Sequence, residues 1–268
     1  MSLPDYSPAA LIEVIRGLGV RKGDTVFVHT SLGRLGRLEG AHTQEEICKA
    51  YYSAWRDVLG ETGTLLIPTY TYSIGSGETF DVNHTKSKLG PATEYFRTIK
   101  DTIRSEEPML AVSGIGPSAS ALLRDLPPTS FGIDSVYDRL IQAGGKVITV
   151  GVSLHWATFR HHIEEKAQVP FRFEKTFRGT ILAQNTVKEV QWRYYARYPQ
   201  ANCYPNGIPL QVLASELGIC HSARLGRSEI HCITAEDYFN LGFQVLKKSP
   251  WMTAVGPALN PTELIDNK

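Results

Sequence analysis

The sequence of 268 residues has few cysteines and no long hydrophobic run. Cys48, Cys203, Cys220 and Cys232 form no CxxC pair and have no zinc-type spacing, so the sequence predicts neither a disulfide framework nor a zinc site. No segment approaches the ~18 consecutive apolar residues of a membrane span. The N-terminus also lacks the basic region and apolar run of a signal peptide. We therefore expect a soluble, cytoplasmic protein with free thiols and no membrane partner.

An excess of charge of either sign is also missing. The formal net charge is +1 and the pI is near 7.7, so no global electrostatic field attracts nucleic acid or an anionic membrane. The hydrophobic content of 42% is ordinary for a globular protein and allows a sizeable core. Internal repeats, low-complexity tracts and flexible linkers are absent as well. The sequence therefore predicts one domain spanning residues 1–268 and no nucleic-acid partner.

Helix and strand patterns alternate along the first part of the chain. Ser7 and Pro8 begin one predicted helix, and a capping box of Thr43 and Glu46 begins another. Strand-like runs at residues 25–29, in TLLIPTY and in KVITVGV are separated by helical segments. This spacing predicts an α/β fold with a central, mainly parallel sheet flanked by helices. Ligands of such sheets bind in the loops that leave the carboxyl ends of the strands.

The sequence changes character after Val169. Two runs rich in aromatic and β-branched residues flank Asn185, which predicts an additional antiparallel hairpin or small sheet in the C-terminal half. Basic residues outnumber acidic ones in this hairpin, and aromatic residues are interleaved with them. Such a surface could stack a base and pair with phosphates, or it could be the ordinary outer face of a hairpin. The basic residues are Arg172, Lys175, Arg178, Lys188, Arg193 and Arg197, the acidic ones Glu174 and Glu189, and the aromatic ones Trp192, Tyr194, Tyr195 and Tyr198.

The stretch GVSLHWATFRHHIEEKA follows the strand KVITVGV and carries three histidines. Glu164 lies three positions after His161, so on a helix both side chains share one face and the carboxylate can orient the imidazole. A histidine paired with a carboxylate suits general base chemistry near neutral pH. The alternative is a solvated helix carrying charges. A metal site is the weakest interpretation, because HHIEE is not HExxH and no third ligand has suitable spacing.

Two other segments have polar residues beside glycines. The loop HTSLGRLG follows a strand and could hold a phosphate through backbone N–H groups and the guanidinium of Arg34. It matches neither the P-loop nor the GxGxxG pattern, and polar loops after strands are common. The segment from Thr85 to Gly90 precedes a helical pattern and is either an anion site or a simple capping loop.

Six short motifs follow one another in a fixed order: VFVHTSLGRLG, GETGTLLIPTYT, FDVNHTKSKLG, IRSEEPMLAVSGIG, FGIDSVYDRL and GGKVITVGV…ATFRHHIEEKA. The series resembles the aminoglycoside 3-N-acetyltransferase family, from about Val14 to Ala167, with a fainter likeness near the C-terminus. The resemblance implies an acyl-CoA-dependent transfer to a primary amine, without a metal. In that family a histidine in a T-x-x-H-x-x-E pattern acts at the chemical step, and Thr158, His161 and Glu164 fill this pattern here.

The resemblance also implies a CoA site made from three segments. The first is the HxSL loop, the second a TxSxxG segment, and the third the serine of VSGIG. The acyl donor is acetyl-CoA or a hydroxyacyl-CoA. The matching residues are His29, Ser31, Leu32, Gly33 and Arg34 in the loop, Thr85, Ser87 and Gly90 in the segment, and Ser113 in VSGIG.

The acceptor is predicted from a departure from the family. Members that bind aminoglycosides, which are polycations, use an acidic segment after the histidine motif, whereas this chain has the basic and aromatic WRYYARYPQANCYPN. Such a surface favours an anion, so we expect a small-molecule amino sugar carried on a nucleotide diphosphate. The alternatives are an aminoglycoside acceptor and a non-catalytic descendant that binds CoA or a nucleotide. The predicted acceptor residues are Tyr70, Asp81, Trp192, Tyr195 and Arg197, and residues 168–200 are expected to shape their site.

The intact His161 and Glu164 pair argues against the non-catalytic alternative, because a binding protein has no need of a base. A hydrolase is less favoured, since the GxSxG motif is missing. The aromatic content of the second half makes a homo-oligomer plausible.

Overall fold

A seven-stranded sheet forms the centre of the computed structural model, which describes residues 3–265. A second sheet of three strands lies beside it. The strands are β1 (Thr25–Thr30), β2 (Thr64–Pro68), β3 (Phe80–Asp81), β4 (Ile103–Arg104), β5 (Val112–Ile115), β6 (Lys146–Val150), β7 (Arg172–Ala183), β8 (Thr186–Arg197), β9 (His221–Leu225) and β10 (Ser228–Thr234). The helices are α1 (Pro8–Gly17), α2 (Gln44–Leu59), α3 (Pro91–Arg97), α4 (Ala119–Leu123), α5 (Val136–Gln142), α6 (Phe159–Ala167), α7 (Ile208–Glu216) and α8 (Ala235–Lys248).

The large sheet has a parallel centre and antiparallel margins. Its order is β4-β5-β2-β1-β6-β10-β9, and β1 is parallel to both β2 and β6. The outer strands β5 and β10 run antiparallel to their inner neighbours, as do β4 and β9 at the edges. The predicted α/β class is confirmed. The parallel centre brings the carboxyl ends of β1, β2 and β6 to one edge of the sheet, where ligand-binding loops are expected.

The predicted hairpin is also confirmed. Strands β7 and β8 pair antiparallel over twelve residues each, from Arg172 opposite Arg197 to Ala183 opposite Thr186. The two turn residues, Gln184 and Asn185, both have positive φ, as a tight turn of the I′ type requires. The short strand β3 adds to the other side of β7 and completes the small sheet.

The helix caps follow the sequence signals. The Ser7 hydroxyl accepts a hydrogen bond from the N–H of Ala10 at 3.1 Å. At the start of α2 the Thr43 hydroxyl accepts from the Glu46 N–H, and the Glu46 carboxylate accepts from the Thr43 N–H. Each such cap typically contributes ~1 kcal/mol. The two helices therefore begin where their capping residues predict.

Two hydrophobic clusters cover the two faces of the large sheet, because side chains along a strand alternate between faces. Val26 and Val28 pack on one face with α1 and α2, around the fully buried Trp55. Phe27 packs on the opposite face with residues of α5, α6, α8 and the hairpin. Helix α6 contributes Phe159, Ile163 and Ala167 to this second cluster. No helix within residues 3–265 is long and apolar enough to cross a membrane.

Candidate active site

His161 and Glu164 lie on one face of α6, the α-helix that follows β6 after the connection of residues 151–158. The Nδ1 atom of His161 lies 2.8 Å from Oε2 of Glu164. The His161 side chain is 17% exposed, whereas the Glu164 side chain is fully buried. The carboxylate is thus hidden behind an imidazole that solvent and substrate can reach. This is the arrangement that the i, i+3 spacing predicts.

Two arginines enclose the same carboxylate. Arg160, one helical turn before Glu164, contacts Oε1. Arg172, at the start of β7, places Nε 2.7 Å from Oε2 of Glu164 and Nη2 2.7 Å from Nδ1 of His161. Both arginine side chains are almost completely buried. A buried carboxylate without such partners would be strongly destabilising, so this cluster keeps Glu164 ionised inside the protein.

The ionisation states of the pair follow from this environment. Burial lowers the pKa of His161 to about 3, and the positive charge of Arg172 acts in the same direction. Burial alone would raise the pKa of Glu164, but the guanidinium groups of Arg160 and Arg172 outweigh it and hold that pKa well below its usual range. At neutral pH the site therefore contains an unprotonated imidazole against an ionised carboxylate. Such a pair can accept a proton from a bound amine.

The two neighbouring histidines accept hydrogen bonds from backbone N–H groups. Nδ1 of the buried His162 accepts the N–H of Gly132 at 3.2 Å. Nδ1 of His155 accepts the N–H of Gly207, at the start of α7, at 2.7 Å. Their roles, which the sequence left unassigned, are to connect α6 and its preceding turn to adjacent segments. Among residues 3–265, no group of three or more His, Cys, Asp or Glu side chains is arranged to hold a metal ion.

Thr158 begins the site helix without capping it through its side chain. Its neighbour is the buried Tyr70, whose hydroxyl lies 3.0 Å from that of Tyr137. Burial raises the pKa of Tyr70, and hydrogen bonding with Thr158 and Tyr137 offsets part of this rise. Tyr70 therefore lies beneath the first turn of α6 as a neutral phenol. The structure brings the predicted residues Thr158 and Tyr70 together there.

Aromatic side chains extend from His161 along one side of the site. The Phe131 ring contacts His161 edge to face at 6.0 Å and lies 5.5 Å from Tyr194. Tyr72 follows Tyr70, with their rings 6.1 Å apart, and its pKa is raised by burial and by the proximity of Tyr194. Tyr72 is 37% exposed and has a φ of 53°, an uncommon conformation for a non-glycine residue. We call Phe131, Tyr194 and Tyr72 the aromatic wall.

A cavity of about 420 Å³ borders the HxSL loop, which follows β1. Residues of the HxSL loop line one part of it, and the start of α3 lines another. The Ser87 hydroxyl lies 2.8 Å from that of Thr93 and so attaches the TxSxxG segment to this helix. The structure thus brings two of the three predicted CoA-binding segments to one groove. Its lining includes Ser31, Leu32, Gly33, Leu89, Pro91, Ala92 and Thr93.

The comparison with known proteins decides the family. A sequence profile described as aminoglycoside 3-N-acetyltransferase matches residues 27–247. The chain belongs to the aminoglycoside 3-N-acetyltransferase family. It is an acyl-CoA-dependent N-acyltransferase, and the family uses acetyl-CoA as its acyl donor.

Individual relatives cover almost the whole of this acetyltransferase. Aminoglycoside N(3)-acetyltransferase VIII of Streptomyces fradiae is 26% identical, over 87% of this chain and 89% of the relative. Aminoglycoside N(3)-acetyltransferase III of Salmonella sp is 25% identical, over 94% and 96%. Among solved structures, AAC-IIIb in binary complex with CoASH has a TM-score of 0.78 at 21% identity, covering 94% of this chain and 99% of that one. Sisomicin-bound AAC-VIa has a TM-score of 0.77 at 22% identity, covering 92% and 99%.

The expectation of a nucleotide-linked amino sugar as the acceptor is wrong. The curated relatives are aminoglycoside acetyltransferases, which was the alternative prediction. The structure gives a physical reason. Trp192 is buried and its Nε1–H donates to Ser130 at 3.1 Å, and the hydroxyl of the buried Tyr195 donates to the Val169 carbonyl. Arg197 stacks on Tyr204 at 4.1 Å. These side chains offer no stacking platform for a base.

Several predicted ligand-binding residues instead hold loops in place. Ser113 is completely buried and its hydroxyl lies 3.0 Å from that of Thr69. The carboxylate of Asp81 accepts the His84 N–H, and the Thr85 hydroxyl accepts the Asp81 N–H. These contacts give Ser113, Asp81 and Thr85 a structural role in their loops, and their roles in ligand binding stay predictions.

Three further CoA-site predictions lie at the groove or next to it. His29 is buried at the end of β1, 7% exposed, directly before the groove loop. Arg34 is exposed in that loop. Gly90, with positive φ, directly precedes Pro91 at the start of α3.

Sequence reasoning missed the functional position of two residues. Arg160 is not singled out by the sequence analysis, and Arg172 is counted there only among the basic residues of the hairpin. Arg160 could have been found, because it lies four positions before Glu164 and an i, i+4 pair meets on a helix. Arg172 is brought to Glu164 only by the path of the chain between α6 and β7, and no local pattern indicates it.

Proposed function

We propose that this enzyme transfers the acetyl group of acetyl-CoA to an amino group of an aminoglycoside, at the 3-amino position for which its relatives are named. The observation that carries the proposal is the His161 and Glu164 pair on the helix that follows β6, whose neighbouring strand β1 leads into the loop of the groove. The relatives' names supply the acceptor class.

His161 acts as the general base in this proposal. The acceptor nitrogen attacks the thioester carbonyl, a C–N bond forms, and His161 takes a proton from the nitrogen. The tetrahedral intermediate then collapses with cleavage of the C–S bond, and the thiolate of CoA takes the proton from the His161 imidazolium, which regenerates the base. Glu164 stabilises the imidazolium while it exists. The Thr158 hydroxyl, at the start of the same helix, is the candidate donor to the intermediate's oxyanion.

Acetyl-CoA occupies the groove between the HxSL loop and α3. Ser31, Leu32 and Gly33 line it, and the exposed Arg34 supplies a cation for a CoA phosphate. Ser87 and Gly90 form the other side through their connection to the start of α3. This places the thioester toward the carboxyl ends of β1 and β6, where α6 begins. An acetyl-CoA-dependent reaction of this kind belongs in the cytoplasm.

The acceptor lies along the accessible part of the aromatic wall, Tyr72 and Tyr194, in our proposal, while the buried Phe131 supports it from behind. The hairpin within residues 168–200 forms part of this site. Aromatic faces pack against the C–H faces of sugar rings and attract ammonium groups through cation–π interaction. Tyr194 comes from β8, so the hairpin contributes directly to the wall. This type of recognition does not require a large acidic surface.

A coupled thiol-release assay tests the function. Acetyl-CoA is supplied with gentamicin- and kanamycin-type aminoglycosides, and with dTDP- and UDP-linked amino sugars as the comparison set. We expect CoA release with at least one aminoglycoside and a product acetylated on the 3-amino group, as assigned by NMR. Turnover of the nucleotide sugars alone, or acetylation of a different amino group, would contradict the proposal.

A further inference from the structure

The carboxylate of Glu164 has more cationic partners than a catalytic pair requires. Arg160 contacts one oxygen, and Arg172 lies 2.7 Å from the other. A buried carboxylate needs a cationic partner, but one guanidinium group would balance its single charge. Instead the two guanidinium groups outnumber the single carboxylate, which leaves a net positive charge beside the imidazole.

Arg172 differs from Arg160 because it touches the base as well as the carboxylate. Its Nη2 atom lies 2.7 Å from Nδ1 and 3.4 Å from Nε2 of His161. The Nη1 atom donates to the Tyr195 carbonyl at 3.0 Å, so β8 fixes the guanidinium in place. Arg172 is 6% exposed and cannot turn away into solvent. Its position is therefore fixed by the hairpin and the carboxylate, and its positive charge lies directly against Nδ1 of the imidazole.

We propose that Arg172 is a positioning residue for acyl transfer, which holds Glu164 in place and keeps the resting His161 in its unprotonated form. This inference rests on the proposed function, in which His161 is the base. An imidazole that is already protonated cannot accept the proton of the attacking amine. The hairpin thereby contributes to the state of the base as well as to the acceptor site.

The groups that face His161 come from three directions. Arg160 and Glu164 are on its own helix, and Arg172 is on β7. Phe131 contacts the ring edge to face, and Tyr194 of β8 lies behind Phe131 with its pKa raised by burial. Burial and Arg172 lower the pKa of His161, whereas Glu164 raises it. Loss of Arg172 therefore removes one of the groups that lower the pKa of His161, whereas Glu164 continues to raise it. His161 should then bind a proton more readily.

The test is an NMR titration that needs no substrate. The protein is labelled with ¹³C- and ¹⁵N-histidine, and the His161 signal is identified as the one missing from His161→Asn. In the wild-type protein we expect no titration of this signal between pH 5 and pH 8. In Arg172→Gln its midpoint should rise by at least about two pH units, which makes the titration visible between pH 5 and pH 7. Arg172→Lys retains the charge and should keep most of the wild-type behaviour.

Arg178→Gln is the matched control, because Arg178 is exposed on the same strand. It should leave the titration unchanged. A wild-type midpoint near 6.5 would overturn the inference even if Arg172→Gln fails to fold, as would a folded Arg172→Gln or Arg172→Ala protein with an unshifted signal.

Turnover gives a second readout. Arg172→Gln should lose more activity at pH 6 than at pH 8, whereas a purely structural role would lower both equally. Because the titration uses no acceptor, it stands even if the proposed acceptor is wrong.

Discussion

Gly151 lies so close to Ser31 that a β-carbon on the glycine would overlap the Ser31 carbonyl oxygen. Gly151 also has a φ of 72°, which disfavours every side chain. One residue earlier, the Val150 carbonyl accepts the Ser31 N–H at 2.9 Å. The end of β6 therefore fixes the loop that we assign to acetyl-CoA binding. The helix that carries His161 begins a few residues further along the chain, at Phe159.

Gly151→Ala is expected to lower the free energy of unfolding and to weaken acetyl-CoA binding. The left-handed backbone should cost ~1–3 kcal/mol, and Ser31 must move to admit the methyl group. Urea denaturation and calorimetric titration with acetyl-CoA measure the two effects. Gly144→Ala is the control, since Gly144 has a φ of 61° but no atom near a β-carbon. It should lose stability and retain binding. Equal acetyl-CoA affinity in the two variants would show that the Ser31 contact is unimportant.

His161→Asn is expected to lower kcat by a factor of ~10²–10⁴, the usual contribution of a general base. The Michaelis constant for acetyl-CoA should change little, because the cofactor groove does not include His161. Thiol release at saturating substrates measures both parameters. His221→Asn changes an exposed histidine on β9 and should behave as the wild type. Near-complete turnover by His161→Asn would mean that another group takes the proton.

The elements of this fold could be predicted where short-range chemistry determines them. Ser7 and Thr43 cap their helices through contacts within three residues, and the capping pattern shows this directly. The i, i+3 relation of His161 and Glu164 is equally local. The turn at Gln184 and Asn185 falls where two β-prone runs meet.

The acceptor site could not be predicted in the same way. Trp192 and Tyr195 look like a stacking surface in the sequence, yet the hairpin packs against the core and buries both rings. Charge counting along residues 168–200 therefore misrepresented the surface, because Arg172 points inward to Glu164. Burial of alternate side chains depends on what covers each face of a hairpin. That information lies in the long-range contacts of Ser130 and Val169 and not in the strand itself.

Glu107 should make the stability of the protein depend on pH. Burial raises the pKa of this carboxyl to about 7, although the Ser130 hydroxyl donates to it at 2.6 Å. In the unfolded chain it loses its proton near pH ~4.3. Between these values the folded state binds more protons, so the free energy of unfolding falls as pH rises from about 4.5 to about 7.

The side chain introduced by Glu107→Gln cannot ionise. The free energy of unfolding of this variant should therefore fall by ~1–3 kcal/mol less than that of the wild type between pH 5 and pH 8. Urea denaturation over that range measures the decline in each protein. Glu106→Gln is the control, because Glu106 is partly exposed and paired with Lys188. Parallel pH profiles for wild type and Glu107→Gln would show that Glu107 ionises normally in the folded protein.

Tyr72→Ala is expected to raise the Michaelis constant for the aminoglycoside about 2- to 30-fold, the range of a cation–π contact of ~0.5–2 kcal/mol. The constant for acetyl-CoA should remain unchanged, because Tyr72 does not line the cofactor groove. Tyr72→Phe keeps the ring and should stay within about twofold of wild type. Tyr204→Ala removes another exposed tyrosine, one stacked on Arg197, and serves as the control. If Tyr72→Ala and Tyr204→Ala had the same Michaelis constant for the aminoglycoside, Tyr72 would not contact the acceptor. Its positive φ would then belong to the conformation of the loop alone.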